Sequence, residues 1–301
     1  MSTSASAGRV PAERTRRRIR PRRVALYLFL TFMAVTWLIP LLWVGYTALR
    51  TYADTQLNGY VSFPTGLSLD NFVNAWNQGS FPQFYMNTLI VAIPGVVITL
   101  TLASMVAFAV SRFRWRFNLL VLIIFTAGNL LPQQVIIVPL YQLYLRLPLP
   151  ASISDTRVLY DQLLGILFIH IAFQTGFCVF VLSNYMKTLP HELTEAAQVD
   201  GAGVLRIWGA VIMPLCRPAL AALSILEFTF IYNDFFWALL LMKSGDRRPI
   251  TSALNNLQGQ FFTDTNLLAA GALLAAIPTI LVFLALQRQF ISGLALGATK
   301  G

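Results

Sequence analysis

Charge is what this chain has least of. Of its 301 residues only 12 are acidic and 22 basic, together 11%, against 56% hydrophobic residues and a mean hydropathy of +0.65. A soluble domain of that length could not stay in solution on so little charge, so a water-soluble fold is excluded. Cysteine and histidine are scarce too, at two each. Cys178 sits inside an apolar run and Cys216 at the end of a polar one, which offers neither a disulfide framework nor thiolate metal spacing. His170 and His191 form no His-Glu-x-x-His, and no Gly-x-Ser-x-Gly occurs, so the familiar zinc-peptidase and serine-hydrolase devices are missing. A Gly-x-x-x-x-Gly-Lys-Ser/Thr loop is missing as well, and with it the usual cradle for ATP phosphates. No internal repeat is visible, and the only biased tract is an arginine-rich start.

Long apolar runs fill the space that charge leaves. Six reach the roughly 20 residues needed to cross about 30 Å of hydrocarbon: 24–49, 88–111, 117–141, 163–186, 218–242 and 267–290. The third is interrupted by Asn129, Pro132, Gln133 and Gln134. Such a break is tolerated where protein or a cavity satisfies the freed backbone, so its polar side is expected to face the bundle. The first run is longer than the about 7–15 apolar residues of a signal peptide and ends at Arg50 without a small-x-small cleavage site, so it should remain as an anchor.

The net charge of +10 raises the question of nucleic acid, but its placement answers for a membrane. Eight of the 22 basic residues precede Val24, and no aromatic is interleaved with them, so nucleic-acid binding is not expected. A basic segment directly before a span marks a cytoplasmic N-terminus. With six spans this places 16 basic residues at the cytoplasmic side and 6 on the other. The cluster Lys243, Arg247 and Arg248 is a local exception to that bias. The expected domains are a disordered basic tail, 1–23, and a transmembrane domain, 24–301. The outer segment 50–87 carries many aromatics, expected at the bilayer interface.

The cytoplasmic loop 187–217 differs in kind from the other connections. Pro190 suits a first helical turn, and Glu192 and Glu195 favour the positive end of a helix dipole, so a helix should begin there. Leu189, Leu193, Ala196 or Ala197 and then Val199 or Asp200 give it a narrow face with small central residues. Gly201-Ala202-Gly203 supplies a stop, and a second amphipathic stretch from Val204 to Met213 presents Leu205, Trp208, Val211 and Ile212 before Pro214 redirects the chain. The expected result is a helix, break, helix elbow at the membrane surface.

This elbow carries a resemblance. Glu195-Ala196-Ala197, then Gly201, then Val211-Ile212-Met213-Pro214 is similar to the loop signature Glu-Ala-Ala, three residues, Gly, nine residues, Ile-x-Leu-Pro of permease subunits in binding-protein-dependent ABC importers. The two departures, Val for Ile and Met for Leu, keep apolar character and volume. Tyr232-Asn233-Asp234-Phe235-Phe236-Trp237, Ala276-Ile277-Pro278 and the ending from Gln287 to Gly301 resemble the carbohydrate-uptake branch, specifically the smaller six-span partner of a maltose-type pair. The resemblance covers roughly 24–301. It implies an all-α membrane protein of six transmembrane helices with a cytoplasmic coupling-helix loop, in a bacterial plasma membrane, with both termini cytoplasmic. It implies a second, homologous permease subunit, two cytoplasmic ATPase subunits holding ATP and Mg, an external solute-binding protein and a carbohydrate substrate, with no cofactor on this chain. The ATPase-docking residues it implies are Leu193, Glu195, Ala196, Ala197, Asp200, Gly201 and Pro214. ATPase closure would then pass through the loop 189–214 and alternate the access of a central cavity.

Ionisable groups inside a span usually face a bundle interior or water. Glu227 and Asp234 are seven residues apart, hence on nearly one face of a continuous helix, with Tyr232 and Asn233 beside Asp234. These four are the candidates for the translocation path; helix–helix hydrogen bonding is the other use for such groups. A competing reading is a stand-alone transporter coupled to protons through His170, Glu227 and Asp234.

Overall fold

The computed structural model describes residues 21–257 and 263–298. The tail expected to be disordered lies outside the described residues up to residue 20. The chain divides into two compact units at Tyr46 and Thr47. The first holds all but the last two residues of α1 (Pro21–Ala48), an unbroken apolar helix through Pro40 in which Trp43 and Tyr46 have ring centroids 5.5 Å apart. Its large side chains, Leu28, Phe32, Trp37 and Leu42 among them, are exposed along its length, as suits a helix whose solvent is not water.

The second unit is also helical, and among the described residues its only extended pairing is one bridge between Pro148 and Val158. Two short helices, α2 (Tyr52–Asn58) and α3 (Asp70–Gln78), lead into the long α4 (Phe81–Arg112). Then come α5 (Asn118–Leu130), a 3₁₀ turn (Gln133–Ile136), α6 (Ile137–Arg146) and α7 (Leu163–Met186). The elbow consists of α8 (Glu192–Val199), α9 (Val204–Arg206), a π-helical turn (Ile207–Ile212) and α10 (Met213–Leu215). The chain ends through α11 (Arg217–Tyr232), α12 (Phe236–Leu241), α13 (Ile250–Ala253) and α14 (Thr265–Ala298).

Among the described residues four helices, α1, α4, α7 and α14, are long and apolar enough to cross a bilayer, and up to six spans result if two bent pairs, the second being Val204–Leu215 with Arg217–Tyr232, each count as one. The interrupted run 117–141 is one such pair: Asn118–Asn129 and Gln133–Arg146 meet at 87°. The cause is Pro132, which lacks an amide and forces Leu131 into an extended conformation. The run 218–242 departs from expectation, because it is not one helix. It stops at Tyr232, and the Asp234 carboxylate accepts from the amides of Trp237 and Ala238 at 3.1 Å each, which starts α12 afresh. Asp234 therefore does not share a helical face with Glu227.

The core of this unit runs along α4 and α7. Ala92, Gly95, Thr99, Ala103 and Ala107 are buried at helical spacing on α4, and small residues in such a row let helix backbones approach closely. Gly176 on α7 makes the tightest approach: a Cβ there would lie 2.1 Å from both the Phe125 carbonyl oxygen and Asn129 Nδ2 of α5. At the elbow end, Phe108, Leu182, Met186, Ile207, Ile212 and Cys216 close a buried apolar cluster. At the opposite end, Phe81, Phe84, Tyr232, Ile250 and Ala270 close another.

Candidate functional site

The elbow is built from local rules. Glu192 and Glu195 lie in the first turn of α8, which starts two residues after Pro190. The helix ends in a Schellman turn: the Gly201 amide donates to the Gln198 carbonyl at 3.0 Å and the Ala202 amide to the Ala197 carbonyl at 2.9 Å. That turn needs the left-handed conformation Gly201 adopts, with φ +77°. Leu193, Glu195, Ala196, Asp200, Gly201 and Pro214 are all exposed, while Ala197 is half-buried against the apolar cluster beneath. Val199 at 88% and Leu205 at 69% exposure extend the outward apolar surface, whereas Ile207 and Ile212 turn inward. The chain is redirected two residues after Pro214, at Cys216, where Val204–Leu215 and Arg217–Tyr232 meet at 80°. Cys216 and Cys178 are both buried and free.

The root of the elbow is a residue that sequence reasoning counted only as a topological charge. Arg112, the last residue of α4, is 8% exposed. It donates to the carbonyls of Met186 at 2.8 Å, Leu189 at 3.1 Å and Pro190 at 3.2 Å. One guanidinium thus ties the end of α4 to the end of α7 and the approach to α8.

A second constellation lies where two helix breaks meet. A pocket of about 420 Å³ is lined by Asn129, Gln133, His170, Gln174, Asn233 and Asp234, with Phe173, Phe236 and Trp237 among its apolar walls. Asn129 and Gln133 flank the Pro132 break, and Asn233 and Asp234 form the break between α11 and α12. Interrupted helices concentrate backbone and side-chain polar groups in this way. His170 Nε2 lies 3.4 Å from Asp234 Oδ2, without hydrogen-bond geometry. Gln174 was not singled out from the sequence, although its place one turn after His170 was a readable signal.

The four residues expected to line a path do not come together. Asn233 and Asp234 face the pocket. Tyr232 is fully buried, stacks on Phe228 at 5.4 Å and donates to the Ala275 carbonyl of α14 at 2.9 Å. Glu227 is also fully buried; its Oε1 accepts from the Cys178 thiol of α7 at 3.2 Å. These two are helix-joining groups in this structure.

Comparison with known proteins gives this geometry its context. The family described as binding-protein-dependent transport system inner membrane component matches residues 95–295. The chain belongs to that family. This permease is 32% identical to the melibiose/raffinose/stachyose import permease protein MelC of Bacillus subtilis, over 79% of its own length and 83% of the relative's. It is 30% identical to the maltodextrin transport system permease protein MdxG of the same organism, over 93% and 96%. Its fold is similar to a chain in the crystal structure of a bacterial ABC transporter involved in the import of the acidic polysaccharide alginate. There the TM-score is 0.75 at 21% identity, covering 91% of this permease and 98% of that chain. It is an integral membrane protein of an importer family, and its elbow and interrupted helices are to be read in those terms.

Proposed function

We propose that this permease is one of two homologous membrane subunits of an ATP-driven importer that moves a carbohydrate delivered by an external solute-binding protein. The observation that carries this reading is the elbow: a short helix with exposed Leu193, Glu195 and Ala196, closed by a left-handed glycine and bonded at its root to two long helices. Such a projection fits a groove on a separate ATPase. This sequence has no phosphate-binding loop of its own, so ATP and Mg belong on the partner subunits. The elbow then faces the cytoplasm, in a bacterial inner membrane, with both termini on that side, as the basic residues favour.

A carbohydrate agrees with the pocket as well as with the relatives. Carboxamides and a carboxylate suit hydroxyl groups, and the exposed rings of Phe230 and Phe235 in its lining suit the apolar faces of a sugar ring. Asn233 and Asp234 are the residues of this chain assigned to the path. Leu193, Glu195, Ala196, Ala197, Asp200, Gly201 and Pro214 are assigned to the ATPase contact.

Reconstitution with all partners tests the reading. Glu195→Lys combined with Gly201→Asp should abolish ATP-driven sugar uptake while the protein still inserts and assembles its helices. Unchanged uptake, or uptake by the purified chain alone on a proton gradient, would sink it.

A further inference from the structure

The end of the molecule opposite the elbow holds a pocket of about 380 Å³ that the transport path does not use. It lies between the segment 151–164 and Arg247, and three features give it a sign. First, Gln162 lines it, is 8% exposed, and its Nε2 has no hydrogen-bond partner. A buried carboxamide donor without an acceptor is costly, so it calls for one from outside the chain. Second, Leu163 and Leu164, the first residues of the 24-residue α7, also line it, and no side chain caps that helix. Their amides find no acceptor among the described residues, and the positive end of the helix dipole therefore opens here. Third, the guanidinium of Arg247 stands at the rim, paired to Asp155 at 2.7 Å.

The surrounding charge agrees. Of the carboxylates in the segments 151–164 and 243–248, Asp161 is buried and accepts from the Lys243 and Ser244 amides and the Ser244 hydroxyl. With its charge counted, these segments hold three acidic residues, Asp155, Asp161 and Asp246, against four basic ones, Arg157, Lys243, Arg247 and Arg248. Basic residues on the translocated side run against the topological bias of the rest of the chain. A partner that reads them supplies the missing reason.

The geometry points to this pocket as the socket for a carboxylate side chain of the external solute-binding protein. The inference rests on the importer reading above, which puts this end outside. The incoming carboxylate takes the Gln162 donor and the α7 amides, and displaces Asp155 from Arg247. The Asp155–Arg247 pair is well suited to exchange, because both side chains are solvent-exposed, at 81% and 41%, and such pairs hold weakly.

Binding of the cognate solute-binding protein to the complete importer in lipid nanodiscs tests it, at low and high salt. Arg247→Gln and Gln162→Leu should each weaken binding about tenfold, and Arg247→Gln should also flatten the salt dependence. Asp155→Asn, which frees Arg247, should tighten binding. If the pair is only a strap between segments, Asp155→Asn and Arg247→Gln will weaken binding alike, and the socket is wrong. Equal binding by wild type and all three variants overturns it too, leaving the importer reading intact. Failure of the wild-type importer to bind the protein at all would remove both. Tight binding of free glucuronate to the importer, with protein binding unaffected by the variants, would reassign the pocket to a small acid and overturn the proposal.

Discussion

At Gly201 the backbone adopts φ +77°, where an L side chain costs roughly 1–2 kcal/mol, whereas Gly203 has φ −68° and open space around it. Gly201→Ala should therefore lower thermal stability by about 1 kcal/mol and impair ATPase coupling, while Gly203→Ala should leave both unchanged. Arg112 allows a sharper test. Arg112→Ala removes three bonds from a charged donor, each worth about 1.5–3 kcal/mol at most, and leaves three carbonyls to find other partners. Uptake should fall at least tenfold while ATP hydrolysis by the assembled importer persists, the signature of uncoupling. At the other end, Asp54 is buried with Arg50, accepting from Arg50 Nε at 2.8 Å, Asn58 at 2.7 Å and the Thr65 hydroxyl at 2.8 Å. The Thr65 hydroxyl above all, with Arg50 and Asn58, lowers its pKa to about 2 against the opposing effect of burial. A depressed carboxylate stabilises the fold above its unfolded value near pH 4 and loses that contribution as pH falls toward 2. Limited proteolysis of 52–65 should accelerate over that window, and in Asp54→Asn it should be fast already at neutral pH.

Among the elements, the elbow was legible in advance and the broken helices were legible only in part. Glu192, Glu195 and Gly201 act through neighbours within one turn, so their spacing alone announces a helix and its stop. Pro132 announces a break in the same local way. Asn233-Asp234 does not, because either residue can ride on a continuous span; what decides is the capture of the Trp237 and Ala238 amides, a choice made with the surrounding packing. Arg112 was hidden for a related reason: a terminal arginine looks the same whether it serves topology or clasps carbonyls seventy-odd residues away. Helix approach is equally silent in sequence. Gly176 and Gly128 both sit in apolar runs, yet a Cβ on the first meets the α5 backbone and on the second meets nothing. Gly176→Ala should cost about 1–3 kcal/mol in thermal unfolding and Gly128→Ala far less, a contrast that reports the α5–α7 contact directly.

For the whole molecule, the long α4 is fastened at both ends. Arg112 clasps the elbow, and 25 or more residues earlier Gln83 and Asn87 donate to the Asp246 carbonyl at 2.9 and 3.0 Å, with Asn87 also reaching Arg248 at 3.1 Å. The whole helix is 32 residues long, about 48 Å at 1.5 Å per residue. It behaves as a tie rod. A displacement imposed on one fastening has no loop in which to dissipate, so a shift of the segment that holds Asp246 and Arg248 should reach the elbow through a single axle. Because such coupling is reciprocal, occupancy outside should alter nucleotide affinity inside by the same factor that nucleotide alters capture outside.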